Sequence, residues 1–363
     1  MKATQIARWR LDNSRLAGDT FSAPEDVVRW HGAMQSQDYG PAKWSIGQRS
    51  ANVLDPDIEE AVADGSILRT HVLRPTWHFV ARDDIRWLLT LAGPRVQRSN
   101  AARYRELGLD ARILGRCESR IVSALGGGNA LTRDQIGEIL DRAKIDRSGQ
   151  RLPYMLMHLE LEAVICSGPR AGKKHTYALV DERAPQGPRF DRDGALVELT
   201  RRYLRSHGPA TIQDLRWWSS LTVSDIKHAL DILGPEVERV IIDGLSFWSM
   251  ASDEGRALTT RGAQLLQTYD ELIVGYTTSR FFGDQHAAAV RAAWQDRQVP
   301  RDVVLVNGLV AGLWKRTIKK NGVAVVILTY DAPKASHARA LETAGADLGR
   351  FLGLEPTVTI GRL

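Results

Sequence analysis

Gly126-Gly127-Gly128-Asn129-Ala130-Leu131-Thr132-Arg133-Asp134-Gln135 ends one helix and begins another, and the rest of the chain can be read outward from that junction. Before it, residues 113–125 carry apolar side chains at helical spacing, and three consecutive glycines break the run. Thr132 followed three positions later by Gln135 is a capping-box signature, after which Ile136, Ile139 and Leu140 share one face of a short helix. A third helix is predicted over 151–162. Its centre, Tyr154-Met155-Leu156-Met157-His158-Leu159, is so apolar that it predicts burial rather than reading of a DNA groove. Residues 163–167 and 176–180 then read as strands joined by the basic loop Pro169-Arg170-Ala171-Gly172-Lys173-Lys174-His175. Three helices and a β-hairpin in this order make a winged helix.

The same grammar recurs on both sides. Downstream, Leu196, Leu199, Tyr203 and Leu204 mark a first helix, His207-Gly208-Pro209-Ala210-Thr211 a turn, and 212–219 and 223–233 two further helices. Residues 237–242 and 245–250 form a hairpin around Asp243-Gly244. Upstream the pattern is less regular: helices over 4–11, 24–34 and 57–64, and wing strands over 67–72 and 76–80. After the third copy, 265–276 is mostly apolar, and Asn307-Gly308 and Asn321-Gly322 turn between apolar runs at 303–306, 309–314 and 323–328, a β-meander. A helix over 334–352 and a short strand over 356–360 close the chain. The predicted class is α+β, with three tandem winged-helix motifs and a C-terminal meander and helix, divided at 1–90, 91–190, 191–255 and 256–363.

With 363 residues, the chain is long enough for two or three domains. Lys and Arg total 49 against 43 Asp and Glu, a net charge of +6, so the placement of basic residues must carry any argument for a polyanionic partner. One concentration lies at Arg95, Arg98, Arg103, Arg105, Arg112, Arg116 and Arg120, against only Glu106, Asp110 and Glu118; it reads equally well as a binding face or a solvated helix surface. A second is Trp314-Lys315-Arg316-Thr317-Ile318-Lys319-Lys320-Asn321-Gly322, an aromatic beside four cations on one hairpin. Edge lysines ordinarily block strand aggregation. Together with Arg170, Lys173 and Lys174 in the wing loop, however, they suggest a surface that tracks phosphates.

Cys117 and Cys166 have no paired spacing, and the nine histidines no ligand spacing, which predicts a reducing compartment and no metal or other cofactor. Residues 1–9 lack the apolar core of a signal peptide and no apolar run approaches membrane-spanning length, so a cytoplasmic monomer with no membrane partner is expected.

Residues 24–34 form an amphipathic helical pattern through Val27, Val28, Trp30, His31 and Met34, which places Gln35-Ser36-Gln37-Asp38 at its end, before a Gly40-Pro41 break. Glutamines at a helix end are ordinarily capping or solvated. Here they coincide with further motifs: Leu73-Arg74-Pro75-Thr76-Trp77-His78-Phe79-Val80-Ala81-Arg82-Asp83-Asp84, Tyr269-Asp270-Glu271-Leu272-Ile273-Val274-Gly275-Tyr276 with Arg280, and Val306-Asn307-Gly308-Leu309-Val310-Ala311-Gly312-Leu313-Trp314-Lys315-Arg316. In these motifs and their order the chain resembles the AlkZ-like (YcaQ-like) winged-helix DNA glycosylases, with Gln35 and Gln37 in the place of the family's Gln-x-Gln or Gln-x-Asp motif.

The resemblance implies three winged helices forming a concave basic surface for double-stranded DNA, with the glutamines and a β-hairpin in the cleft. It implies excision of alkylated purines, including N7-alkylguanine, bulky natural-product adducts or interstrand crosslinks, for repair or self-resistance. Alkylation at N7 puts positive charge on the base, so the leaving group needs little protonation; water positioning and stabilisation of sugar charge remain for the enzyme. A neutral glutamine can hold a water through its carbonyl oxygen but is a poor general base. Gln35 and Gln37 are therefore the candidate catalytic residues, with Asp38 next in line. The motif has no lysine for a Schiff-base lyase step. Trp77 and His78 read first as a packed indole and a hydrogen-bonded imidazole, and Tyr269, Asp270, Tyr276 and Arg280 as an internal polar network. The competing class is a non-catalytic winged-helix transcriptional regulator.

Overall fold

The computed structural model describes residues 3–251, 262–295 and 302–363; the predicted boundary at 255/256 falls outside them. The first region runs α1 (Ala3–Asn13), α2 (Pro24–His31), β1 (Met34–Gln35), α3 (Tyr39–Gly47), α4 (Asp55–Asp64), β2 (Ile67–His71) and β3 (Trp77–Ala81). Sequence periodicity misplaced one boundary here, because α2 stops at Gly32, whose φ of 78° suits a residue without a side chain. The next residues enter an antiparallel strand order β1-β3-β2, with Met34 opposite Phe79 and Gln35 opposite His78. The glutamine motif thus lies on a strand and its exit, not at a helix end. Gly40-Pro41 does not terminate a helix either; it lies in the first turn of α3, where proline's missing N–H costs nothing.

The second region contains α5 (Ile85–Glu106), α6 (Ala111–Leu125), β4 (Leu131–Thr132), α7 (Arg133–Arg142), α8 (Arg151–Leu161), β5 (Ile165–Ser167), β6 (Thr176–Leu179) and α9 (Val180–Arg183). Thr132 and Gln135 form the expected reciprocal cap of α7. Leu152, Met155, Leu156 and Leu159 of α8 are buried in a core with Cys117, Ile121, Ile136 and Tyr177. The third region has α10 (Arg192–His207), α11 (Ile212–Ser219), α12 (Val223–Leu233), β7 (Val237–Ile242) and β8 (Leu245–Met250). Thr211 with Asp214 and Thr222 with Asp225 cap α11 and α12. Asp243 and Gly244 both have positive φ, 48° and 78°, as the tight turn between β7 and β8 requires.

The C-terminal region holds β9 (Ala263–Leu266), α13 (Glu271–Val274), α14 (Ala287–Gln295), β10 (Val303–Val306), β11 (Leu309–Ile318), β12 (Gly322–Thr329), α15 (Ala335–Leu352) and β13 (Glu355–Arg362). The predicted meander becomes a five-stranded sheet of order β13-β12-β11-β10-β9, because α15 returns the chain to pair β13 parallel to β12. Apolar clusters tie the regions together. One joins Val27, Met34, Ile46 and Phe79 to Trp314, Val325, Ile327 and Phe351, so the first region and the C-terminal sheet share a core. Another runs from Leu68 and Val80 through Leu88 and Leu199 to Trp218 and Tyr276. The four-residue helix α13 meets both the first and the third region, because Glu271 bonds to Gln35 on one side and to His207 and Trp218 on the other.

Candidate active site

The backbone of Gln35-Ser36 and the Gln35 side-chain oxygen are held, while the buried Ser36 hydroxyl finds no partner among the described residues. The Gln35 backbone N–H donates to Glu271 Oε1 at 2.6 Å, and its side-chain Oε1 accepts from Arg74 Nη2 at 2.8 Å. A guanidinium only donates, so the amide can be oriented only with its oxygen toward Arg74. Ser36 N–H donates to Trp77 O at 2.8 Å, and Ser36 O accepts from Arg69 Nε and Nη2 at 3.2 and 3.0 Å. Gln37 Oε1 accepts from Trp77 N–H at 3.4 Å. Residues two apart on extended backbone share a face, and here that face passes from interior to surface: Gln35 is 7% exposed, while Gln37 and Asp38 lie open to solvent. The two glutamines are therefore not equivalent. Gln35 is braced by a buried cation with only its Nε2 uncommitted among the described residues, and Gln37 presents its amide outward.

Below Gln35 lies an internal ionic network. Glu271, 1% exposed, also accepts from Trp218 Nε1 at 2.9 Å and pairs with His207 Nε2 at 3.2 Å. Burial pushes its carboxyl up, but hydrogen bonds from His207 and the Gln35 amide and the charges of His207 and Arg74 outweigh this and bring it down to about 2. Glu271 is thus a carboxylate throughout the working pH range, enclosed and unable to reach a substrate. His78, fully buried, uses Nδ1 on Thr76 O at 2.9 Å and turns Nε2 toward Arg74 Nη2 at 3.5 Å. Burial and then the Arg74 charge lower it to about 3, so it is a neutral imidazole whose free nitrogen can accept. Arg49 and Asp270 form a fully buried two-pronged pair at 2.8 Å on each arm. Tyr276 donates to His207 O, and Arg280 donates to Tyr276 O.

Arg74, Glu271, His207, Trp218 and Arg69 are the residues on which this grip depends, and sequence reasoning gave none of them a role. Arg74 and Glu271 do lie inside quoted motifs; a cation and a carboxylate flanking the glutamines by 39 and 236 positions offered a signal only in hindsight.

Across residues 28–351 the chain matches the family model described as DNA glycosylase AlkZ-like. It belongs to that family. This AlkZ-like chain is 24% identical, over 98% of both sequences, to an interstrand DNA cross-link repair glycosylase of Streptomyces sahachiroi. It also superposes on the solved Streptomyces sahachiroi DNA glycosylase AlkZ with a TM-score of 0.78 and 24% identity, covering 99% of this chain and 100% of that one, a likeness that fixes the fold. The AlkZ-like chain is accordingly an enzyme, a DNA glycosylase.

The basic candidates of this glycosylase are distributed unevenly. Trp314 must be corrected from a surface aromatic to a core one: it is 5% exposed and donates from Nε1 to Leu266 O at 2.8 Å. Arg316 is half-buried, with burial depressing its basicity near the charges of Asp302 and Asp38. Lys315, Lys319 and Lys320 remain exposed on the hairpin. In the loop between β5 and β6, Arg170 pairs with Glu59 at 2.9 Å and Lys174 with Asp134 at 2.7 Å, while Lys173 is exposed. Of the arginine-rich segment, Arg95 caps Ser220 O, Arg116 donates to Ala143 O and Arg103 pairs with Glu106, so several serve the fold. No group of metal-ligating side chains occurs among the described residues, and no helix there is long and apolar enough to cross a membrane.

Proposed function

We propose that this chain is a monofunctional DNA glycosylase that removes alkylated purines, N7-alkylguanine foremost, from double-stranded DNA in repair or self-resistance. The observation that carries this reading is the exposed Gln37 amide beside a Gln35 that is fixed at both backbone and side chain. On this reading Gln37 Oε1 holds the hydrolytic water, Gln35 Nε2 orients the sugar or the same water, and the cationic base leaves without a strong acid. Bulky adducts and crosslinks are included because a Streptomyces relative carries cross-link repair in its name. The helix, helix, helix and hairpin units act as winged helices, their division falls at 1–90, 91–190, 191–255 and 256–363, and together they present a concave basic face. Lys315, Lys319, Lys320 and Lys173, with Arg316, Arg170 and Lys174 where duplex phosphates displace their present partners, supply the phosphate contacts. The enzyme works as a cytoplasmic monomer without a cofactor.

The test incubates the protein with duplex DNA carrying a single N7-methylguanine or a bulky N7 adduct and measures abasic sites. Excision by the wild type and its loss in Gln37→Ala are expected, with affinity for undamaged duplex retained. Wild-type protein inactive on every N7 adduct ends the proposal.

A further inference from the structure

Helix α11 presents two adjacent tryptophans to the same short helix, α13, in opposite ways. Trp218 is fully buried and donates to Glu271 Oε2 below Gln35. Trp217 is 48% exposed, yet its indole is not free to swing, since Nε1 donates to Val274 O at 3.2 Å. That carbonyl also accepts from Arg74 Nη1 at 3.3 Å, and Arg74 holds the Gln35 amide through its Nη2. The Arg74 guanidinium carbon lies 5.8 Å from the centre of the Trp217 ring. Three hydrogen bonds, through Val274 O and Arg74, therefore link an exposed, fixed indole to the candidate catalytic amide. Among the tryptophans whose side-chain burial is described, Trp217 alone is exposed, and Arg216 beside it is exposed too. Leaving so large an apolar surface uncovered forgoes the burial its neighbour gains.

Resting on the glycosylase reading above, we propose that Trp217 is a specificity-determining residue: its exposed indole face stacks on the alkylated base while the sugar sits at Gln35 and Gln37. The chemistry is complementary in two ways. Every base offers a face to stack, and an N7-alkylated purine carries a positive charge that the negative face of an indole attracts. A normal guanine lacks that charge, so the contact favours the damaged base. Stacking requires no change in the catalytic amides, and it extends the site by one side chain from the third region of the chain.

The experiment compares wild type, Trp217→Ala and Trp217→Phe on duplex carrying one N7-methylguanine, and measures affinity for the same duplex with a tetrahydrofuran abasic analogue, which has no base to stack. Trp217→Ala should lower kcat/KM for excision about tenfold or more, and Trp217→Phe no more than about threefold, because a phenyl ring keeps the face. Affinity for the abasic duplex should stay within about twofold, since phosphate contacts carry it. Undiminished excision by Trp217→Ala overturns the inference alone. An equal fall in abasic-duplex affinity also overturns it, by assigning the indole to the gap in the duplex or to the fold. Lack of excision by the wild type removes the glycosylase reading, and this inference falls with it.

Discussion

The loop of residues 72–76 between β2 and β3 turns into the protein, whereas the loop of residues 168–175 between β5 and β6, at the same place in the preceding-helix and hairpin order, turns out to solvent. In the first, Arg74 N–H bonds back to Val72 O at 2.6 Å and Thr76 N–H to Arg74 O at 2.7 Å, two successive tight turns that leave Leu73 at φ 60°. A buried leucine rarely adopts that conformation, and it persists here because Leu73 is packed in the central core. The result aims Arg74 at Gln35. In the second loop a two-residue turn between Ala171 and Lys174 closes on itself; Arg170 meets Glu59 in a half-buried pair and Lys174 meets Asp134 at the surface. A hairpin thus becomes part of the site through the direction of its turn, not through its charge: the inward loop has one cation, the outward loop three and a histidine.

The comparison breaks most severely if the inward loop is deprived of its counter-charge. Glu271→Ala would leave the buried Arg74 without its facing carboxylate and leave the Gln35 and Trp218 N–H groups unsatisfied, a change expected to cost about 3–5 kcal/mol of stability together with excision. Urea denaturation checks it; a loss near zero would mean that water reaches the network.

The next effect separates the two glutamines. Gln37→Ala should reduce excision by about tenfold to a thousandfold while the melting temperature stays nearly unchanged, because its side chain is exposed. Gln35→Ala should lower both, since it strips the buried Arg74 of an acceptor. If the two substitutions behave alike in melting, the asymmetry between the amides is wrong.

How far the sequence carried the argument follows from where each signal is local. The capping box at Thr132, the Asn-Gly turns and the apolar face of α8 depend on neighbours a few residues away, and those elements lie where periodicity places them. The end of α2 was misjudged because Met34 continues the helical spacing while Gly32 has already broken the backbone; burial in a shared core lets a strand use the same apolar residue. Trp314 looked like a surface aromatic because four cations follow it, yet alternation along β11 sends it inward and Lys315 outward. Arg74 and Glu271 meet Gln35 only after long-range folding, so no spacing rule could assign them.

Acid should weaken both the inward network, through His78, and the outward loop, where burial and the charges of Arg69 and Arg170 lower His175 to about 4. His78 has a folded value lowered to about 3, below its ordinary 6.5, so the unfolded chain binds more protons between those limits. Its contribution is fully present above pH 6.5 and is lost as pH falls toward 3, with a slope of up to about 1.4 kcal/mol per pH unit. His31, also lowered by burial and by Arg49 and His207, adds to the same trend. Unfolding free energies measured from pH 7 to 4 should fall, and His78→Asn should flatten the curve.

The smallest effects belong to the outward residues, and they sharpen the contrast by touching DNA affinity alone. Replacing Lys315, Lys319 and Lys320 with Ala should reduce the dependence of log affinity on log salt by roughly one unit for each phosphate contact removed, without slowing excision at saturating protein. Lys174→Ala should do less still. Its partner Asp134 is 71% exposed and Lys174 itself 65%, so water already screens the pair and nothing buried is left uncompensated when it is removed. The loop should keep its turn, because Arg170 Nη2 still bonds to Lys173 O and Thr176 Oγ1 to Pro169 O. An unchanged melting temperature with at most a slight change in salt slope is the expected result for Lys174→Ala. A marked loss of folding stability instead would show that the outward loop, like the inward one, is held by its charges, and would erase the distinction between them.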